Sequence, residues 1–363
     1  MTDTTKPAPT LDKKKSLILG AVGLADIVLI FARVIPQIGS YEDALTALED
    51  MTVGAIVLIA LVEVGYLALY GLPFVAATPG LSYWRGQQLN QAAFAISNGV
   101  PAGGAFGLGV QYAMLASYDV SPTASTAAIL SVSVWSMFVT LGLPILGVAA
   151  IQLSGQSSAS YLWPAVIGLA VLVVSIGLFA LVMRSEGVAR WLGRVGNRLL
   201  GGLVRRFRHG QSVDFVPMLV KFRNDIVELV RRRWGAITAA QLGVSLSQFL
   251  VFYMALRGVE GWDNPGTPVL VAFGAFAVAQ LGLMIPITPG GLGTVDAVMI
   301  ALLTSMGVSE GNATAADLVW RAASYVPQIT VGIIALVSWS RGAARLVAER
   351  DAERARRAAA EGT

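Results

Sequence analysis

The sequence predicts an all-α, polytopic membrane helix bundle: about six spans, plus two inverted-repeat re-entrant helical hairpins. Three observations carry this reading. Apolar residues make up 55% of the 363 positions and charged ones only 13%, about half the charged share of an ordinary soluble domain. Six apolar runs are long enough to cross a hydrocarbon core about 30 Å thick at 1.5 Å per residue. Lysine and arginine are concentrated in alternate connections.

Taken in order, residues 1–15 form a polar tail ending in Lys13-Lys14-Lys15. The apolar run that follows is long and shows no clear small-residue cleavage site, so it reads as a first span rather than a signal peptide. Spans are expected at about 17–35, 52–77, 123–151, 161–183, 235–257 and 318–340. Two other apolar regions are broken. One, at 88–118, is interrupted by Pro101-Ala102-Gly103-Gly104; the other, at 268–306, by Pro286-Ile287-Thr288-Pro289-Gly290-Gly291. Proline removes a backbone donor and glycine weakens a helix, so each region should split into two half-helices. Residues 16–341 then form one transmembrane domain, followed by a tail at 342–363, surface-lying or partly disordered.

Charge orients the spans. The connections at 36–50, 154–160, 259–266 and 310–316 contain no Lys or Arg, whereas 184–233 carries twelve. Basic loops stay in the cytoplasm, so both termini and the 184–233 loop are expected on the cytoplasmic side of the cell membrane. The alternation holds only if each broken region enters and leaves on the same side. Arg33 and Arg257, at span ends, are expected to snorkel to the interface.

The two broken regions also resemble each other. With a shift of 188, Pro101 meets Pro289, Gly103 meets Gly291, and Ser117-Tyr-Asp-Val120-Ser121 meets Ser305-Met-Gly-Val308-Ser309; eight of 21 positions agree. Three spans separate the copies, so the second is inverted. Paired broken helices in inverted repeats place a transporter's binding site near the bilayer midplane. A half-helix starting at Gly290-Gly291-Leu292-Gly293 offers N–H groups and a positive dipole end, which favour an anion such as phosphate.

Ionisable side chains inside spans are costly and usually face protein. The candidates are Asp26, Arg33, Glu63, Asp296 and Arg321. Glu63 and Asp296 suit proton or cation coupling. Arg321 can snorkel, pair with Asp296 or hold a phosphate. Asn98, Gln111, Gln248, Gln280 and Gln328 are polar groups placed to line the same cavity. In the basic loop, Val188–Phe207 repeats Arg190, Arg194, Arg198 and Arg205 among Trp191, Leu192, Val195, Leu199 and Leu203. That pattern suits a helix lying on an anionic leaflet, with lipid favoured over nucleic acid. Cysteine is absent, which excludes disulfides and thiolate metal sites. The lone His209 reads as a solvated loop residue. Neither a metal nor a cofactor is implied, and no nucleotide-hydrolysis or hydrolase motif occurs.

Three stretches then resemble a known family. Asn98-Gly-Val-Pro101-Ala-Gly-Gly104-Ala, Pro286-Ile-Thr-Pro289-Gly-Gly-Leu-Gly293-Thr-Val-Asp296, and Arg321-Ala-Ala-Ser-Tyr-Val-Pro327 with Gly332 are similar to the lysylphosphatidylglycerol synthase transmembrane region. That region is the flippase-like domain of the multiple peptide resistance factor, and it also stands alone. The resemblance covers most of residues 15–340. Family members often carry Glu where this chain has Asp296, which keeps the carboxylate on a shorter arm. The family's soluble aminoacyl-transferase domain is expected to be missing here, so the resemblance implies lipid translocation and not lipid aminoacylation. The substrate implied is an anionic-headgroup lipid: a phospholipid, an aminoacyl-phospholipid or a polyprenyl-phosphate. Its expected site comprises Asn98, Pro101, Gly103, Gly104, Gln111, Pro289, Gly290, Gly291, Gly293, Asp296 and Arg321, with Glu63. A small-solute or ion transporter, or a membrane partner of an envelope glycolipid-synthesis enzyme, remain the alternatives, and homo-oligomer formation is left open.

Overall fold

The computed structural model describes residues 41–99, 103–155, 159–207, 214–263, 265–284 and 289–361. Among these, four helices are long and apolar enough to cross a membrane: Val53–Ala77, Pro122–Leu153, Ile226–Glu260 and Glu310–Gly342. They match the runs expected at 52–77, 123–151, 235–257 and 318–340. The N-terminal tail, the run at 17–35 with Asp26 and Arg33, Pro101, Pro286 and His209 lie outside the described residues. Among the described residues there is helix and no strand.

The element order is α1 (Tyr41–Glu49), α2 (Val53–Tyr70), α3 (Leu72–Ala77), α4 (Tyr83–Gly99), α5 (Gly103–Ser117), α6 (Pro122–Leu153), α7 (Ala159–Arg184), α8 (Glu186–Phe207), α9 (Phe215–Glu260), α10 (Val269–Ala279), α11 (Thr294–Ser305) and α12 (Glu310–Glu361). Two short 3₁₀ turns, Gln280–Met284 and Pro289–Gly291, connect α10 to α11. Thr52 starts α2 by accepting a hydrogen bond from the Ala55 N–H at 3.2 Å. The span bends at Gly71, with Pro73 just beyond, and continues as α3.

Each broken region is a packed pair of antiparallel half-helices, α4 with α5 and α10 with α11. Four helices, α6 to α9, lie between the pairs. The repeat is written in backbone geometry. α5 ends at Ser117 and α11 at Ser305, the same pair that the sequence repeat aligns. After each end, the Val120 N–H donates to the Leu115 carbonyl at 3.0 Å and the Val308 N–H to the Leu303 carbonyl at 3.1 Å. The preceding residue donates to Ala116 in one copy and to Thr304 in the other. This is a Schellman ending, which needs a left-handed residue: Asp119 at φ 62° and Gly307 at φ 98°. Ser121 and Ser309 then cap the next helices, accepting from Ala124 and Asn312 at 3.3 and 3.2 Å.

Two expectations change. The 184–233 stretch, expected as a loop with amphipathic stretches, is helical over its described residues except Ser185 and Asp214: the end of α7, α8, then the front half of α9. Asp214 caps α9 through the Val216 N–H, and Glu228 pairs with Arg232 one turn on at 2.6 Å. With no proline between 218 and 260, nothing stops the helix at the membrane boundary. Likewise α12 runs past the last span to Glu361, through Ala, Arg and Glu residues of high helix propensity.

Inside the bundle, Phe252, Phe276 and Trp320 stack among Ala272, Ala275, Ala279, Ala313 and Ala316. Lipid is as apolar as these side chains, so close packing holds the helices rather than exclusion from water. Gly147 of α6 and Gly274 of α10 meet backbone to backbone: a Cβ on either would stand about 3 Å from the other's carbonyl oxygen.

Candidate functional site

The cavity is built from both repeats. About 520 Å³ of space is lined by residues of α2 to α6 and of α9 to α12. Along α6 and α12 it is lined by pairs of positions that the repeat makes equivalent: Val132 and Trp320, Ser133 and Arg321, Ser136 and Ser324, Thr140 and Gln328. Asn90, Asn98, Gln111, Gln241, Ser245, Gln248 and Gln280 add amides and a hydroxyl. Several of these groups are already fixed. Asn90 donates to the Tyr70 carbonyl at 2.6 Å, Gln241 to the Val132 carbonyl at 3.1 Å, and the Tyr66 hydroxyl to Gln328 Oε1 at 3.3 Å. Polar groups at this depth are held by protein or by a watery cavity.

The hairpin tips converge at one wall. Gly290 has φ 62°, and a Cβ there would collide with the Tyr325 hydroxyl and reach Asn98 Oδ1 at 3.1 Å. Only glycine fits both the backbone and the space. The Tyr325 hydroxyl donates to the Gly290 carbonyl at 3.2 Å and accepts from Arg321 Nη1 at 3.4 Å. Behind this contact lies the main electrostatic feature. Arg321, 2% exposed, reaches Asp296, 0% exposed, with Nε–Oδ1 at 2.6 Å and Nη2–Oδ1 at 2.5 Å. Asp296 Oδ2 accepts the Gly293 N–H at 2.6 Å. The carboxylate therefore serves both as counter-ion and as cap of α11. The Arg321 guanidinium also lies over Trp320, 4.4 Å from the ring centroid.

This modifies the expected anion site. The start of α11 does not offer its first N–H to a ligand, because Asp296 takes it. Arg321 pairs with Asp296 rather than snorkelling, so the cation in the cavity wall is already matched. Arg257, expected at the interface, is also buried: it pairs with Glu260 at 3.1 Å and lies over Trp262.

Of the expected site residues, Asn98, Gln111, Gly290 and Arg321 line the cavity, and Gly291, Gly293 and Asp296 form the turn behind it. The backbone of Pro289 belongs to the same turn. Gly103 packs against α4, where a Cβ would meet the Ile96 and Ser97 carbonyls, while Gly104 is exposed. Pro101 falls outside the described residues. Glu63 is not in this cavity. Its carboxylate, 2% exposed and without a hydrogen-bond partner among the described residues, lines a separate apolar groove with Met51, Ile59, Leu67, Ala323 and Pro327. Sequence reasoning missed Asp317. It is 0% exposed, lies against Asp296, and precedes Arg321 by one helical turn. The signal was the polar stripe Thr314, Asp317, Arg321, Ser324, Gln328 along one face of α12.

A family model described as the lysylphosphatidylglycerol synthase TM region matches residues 18–332, most of the chain. The chain belongs to that family. It is also 25% identical over 329 residues to a "UPF0104 membrane protein" of Methanothermobacter thermautotrophicus, covering 88% of this chain and 93% of that one. The family match takes in both hairpins, all four long apolar helices up to position 332, and the Asp296, Asp317 and Arg321 group. In this chain the lysylphosphatidylglycerol synthase TM region is a bundle of apolar helices whose polar groups collect beside two broken helix pairs.

Proposed function

We propose that this protein is a lipid transporter that moves an anionic headgroup across the cell membrane while the acyl chains stay in the bilayer, and that it carries out no covalent chemistry itself. The supporting observation is the cavity of about 520 Å³, lined mainly by amides, hydroxyls and aromatic rings, inside a bundle of apolar helices, with the Arg321 guanidinium in its wall. Amides and hydroxyls replace the water that a headgroup sheds at the midplane. Arg321 supplies the charge that selects an anion. In this resting arrangement Asp296 holds Arg321 in place, and an arriving phosphate competes with that carboxylate for the guanidinium. The alternation of basic and acidic connections supports an orientation with both termini in the cytoplasm. The arginine face of α8 then lies against the anionic inner leaflet.

The test is reconstitution of the purified chain into vesicles containing a fluorescent phosphatidylglycerol, with dithionite quenching of the outer leaflet. Protein-dependent access of the inner-leaflet probe is expected, with loss of that activity in a folded Asp296→Asn, Arg321→Ala double variant. Vesicles whose inner-leaflet probe stays protected, despite folded protein, count against lipid transport. Full activity of the double variant counts against this site.

A further inference from the structure

Three ionisable side chains meet behind the cavity wall, and their charges do not balance. Asp296 and Asp317 are both 0% exposed, and Arg321 is 2% exposed. Two carboxylates against one guanidinium leave a net negative charge in the middle of the bundle. An unmatched ion there costs several kcal/mol. The three groups become neutral together when they hold one proton.

Geometry says where that proton sits. Asp296 accepts two hydrogen bonds, from the Gly293 N–H and from Arg321 Nε, both at 2.6 Å, and Arg321 Nη2 lies 2.5 Å away as its ion-pair partner. Asp296 is thus the carboxylate that already has its donors and its counter-ion. Neither Asp317 oxygen has a hydrogen-bond partner among the described residues. The charged groups acting on Asp317 are Asp296 from α11 and Arg321 on its own helix. Two facing carboxylates with no donor between them repel, unless one carries a hydrogen. Among the described residues no third acidic or histidine side chain joins the pair, as a multivalent metal site would ask. One turn before Asp317, the Thr314 hydroxyl is also buried and unpartnered among the described residues, extending the polar stripe toward the end of α12 that begins at Glu310.

We propose that Asp317 is a proton-binding site that couples transport to pH, through Arg321. With the proton on Asp317, Arg321 answers to a single carboxylate, and its Nη1 points to Tyr325 and the cavity. That is the anion-competent state. With the proton gone, two carboxylates hold Arg321 and withdraw it from the cavity. The proton passes between Asp317 and water; no bond other than its O–H forms or breaks. By linkage, an anion on Arg321 favours the protonated site to the same degree that the proton favours the anion. The coupling rests on the lipid-transport reading, whereas the proton site does not.

The test has two arms on the full chain. In the first, infrared spectroscopy of purified protein in nanodiscs follows the carbonyl stretch of protonated carboxyls at neutral pH, with Glu63→Gln assigning any contribution from Glu63. A band lost in Asp317→Asn is expected. It should be lost as well in Asp296→Asn, where Asp317 becomes the sole counter-ion of Arg321 and ionises. An unchanged spectrum in Asp317→Asn overturns the proposal. Asp317→Glu, which keeps the acid, should retain a shifted band and guards against misfolding of the amide variant. In the second arm, vesicles with fluorescent phosphatidylglycerol are given a pH step across the membrane. Wild-type movement should respond several-fold to the step, equally in sodium and potassium buffers, and Asp317→Asn should not. Lipid movement that ignores pH, or an equal response in Asp317→Asn, overturns the coupling and leaves lipid transport standing. An infrared band that behaves as stated, with no lipid movement, supports the proton site and removes the lipid reading.

Discussion

Replacing Arg321 with Met should destabilise the protein by an amount that shrinks as the pH falls. Met keeps much of the length and apolar contact of the arginine stem but removes the charge. What remains is Asp296 at 0% exposure with one backbone donor, Gly293, and Asp317 beside it. Breaking a buried pair by removing one partner costs about 3–5 kcal/mol. The carboxylate has a second option, which is to take up a proton. About three pH units separate the ordinary aspartate value, about 3.9, from pH 7, and each is worth about 1.4 kcal/mol. Protonation therefore caps the loss at about 4 kcal/mol at pH 7. At pH 5 the same reasoning caps it at about 1.5 kcal/mol. The sign follows from linkage: the folded variant binds a proton that the unfolded chain at these pH values does not, so its stability falls as pH rises. Chemical unfolding of wild type and Arg321→Met in detergent, at pH 5 and pH 7, measures both numbers. A cost that is equal at the two pH values, or no cost at pH 7, would refute the reasoning. Either result means that Asp296 is not left as an unmatched buried charge.

Other consequences are as direct. Gly290→Ala puts a methyl group against the Tyr325 hydroxyl at a positive φ, and should cost about 1–3 kcal/mol in thermal unfolding while disrupting the tip contact. At Gly307, φ 98°, Val should cost about 1–2 kcal/mol, whereas Asp should be better tolerated, because Asp119 fills the equivalent position in the first copy. The Asp214 carboxyl is held below the usual carboxylate range by the Asn197 amide and then by the Val216 N–H. It therefore stabilises the fold above the unfolded-state value, and that contribution is lost as pH falls through the folded one; Asp214→Ala should flatten the acid limb of a pH–melting curve. On α8, replacing Arg190, Arg194 and Arg198 with Gln should weaken the response of Trp191 fluorescence to phosphatidylglycerol in the nanodisc, by about 1 kcal/mol of leaflet attraction per charge.

Much of this fold is legible in the sequence because membranes impose two coarse rules, span length and charge asymmetry. Proline and glycine then mark the breaks. The repeat is legible for a similar reason: the serines, valines and small residues shared between 101–121 and 289–309 are the ones a Schellman ending and a serine cap require. What is not legible is rotation about helix axes. α2 is apolar nearly all round, so nothing in its sequence says which way Glu63 points. Grouped with the cavity for its charge, it faces an apolar groove instead. Asp317 is missed for a boundary reason. Hydropathy starts the span at 318, just too late to notice that an acid one turn before Arg321 is as deeply buried as Arg321 itself. The continuity of α9 from Phe215 to Glu260 is hidden because a change from charged to apolar residues marks the membrane surface, not the end of a helix.

The repeat also explains why the charge lies on one wall. In the first copy, the positions equivalent to Asp296, Asp317 and Arg321 hold Leu108, Ile129 and Ser133. The two copies agree in frame, in helix endings and at four cavity-lining positions of α6 and α12, yet at the positions of the three ions only the second copy is charged. Two symmetric sites of fixed charge would hold an anion equally on both sides of the midplane and give it no reason to leave either. On the lipid-transport reading we propose, a charged wall together with the neutral Ser133, Ser136 and Thr140 would give the anion one strong contact that can be weakened. Making Arg321 weaker takes only a competing carboxylate, and Asp296 and Asp317 are already there. Substitutions on the two walls should therefore differ in kind. Ser133→Ala and Thr140→Val should leave selection for an anion intact and change only how readily headgroups pass, whereas Arg321→Gln should abolish discrimination between phosphatidylglycerol and a zwitterionic lipid. Equal loss of discrimination from both sets, measured with paired fluorescent lipids in the same vesicles, would place recognition in the cavity as a whole rather than in its charged wall.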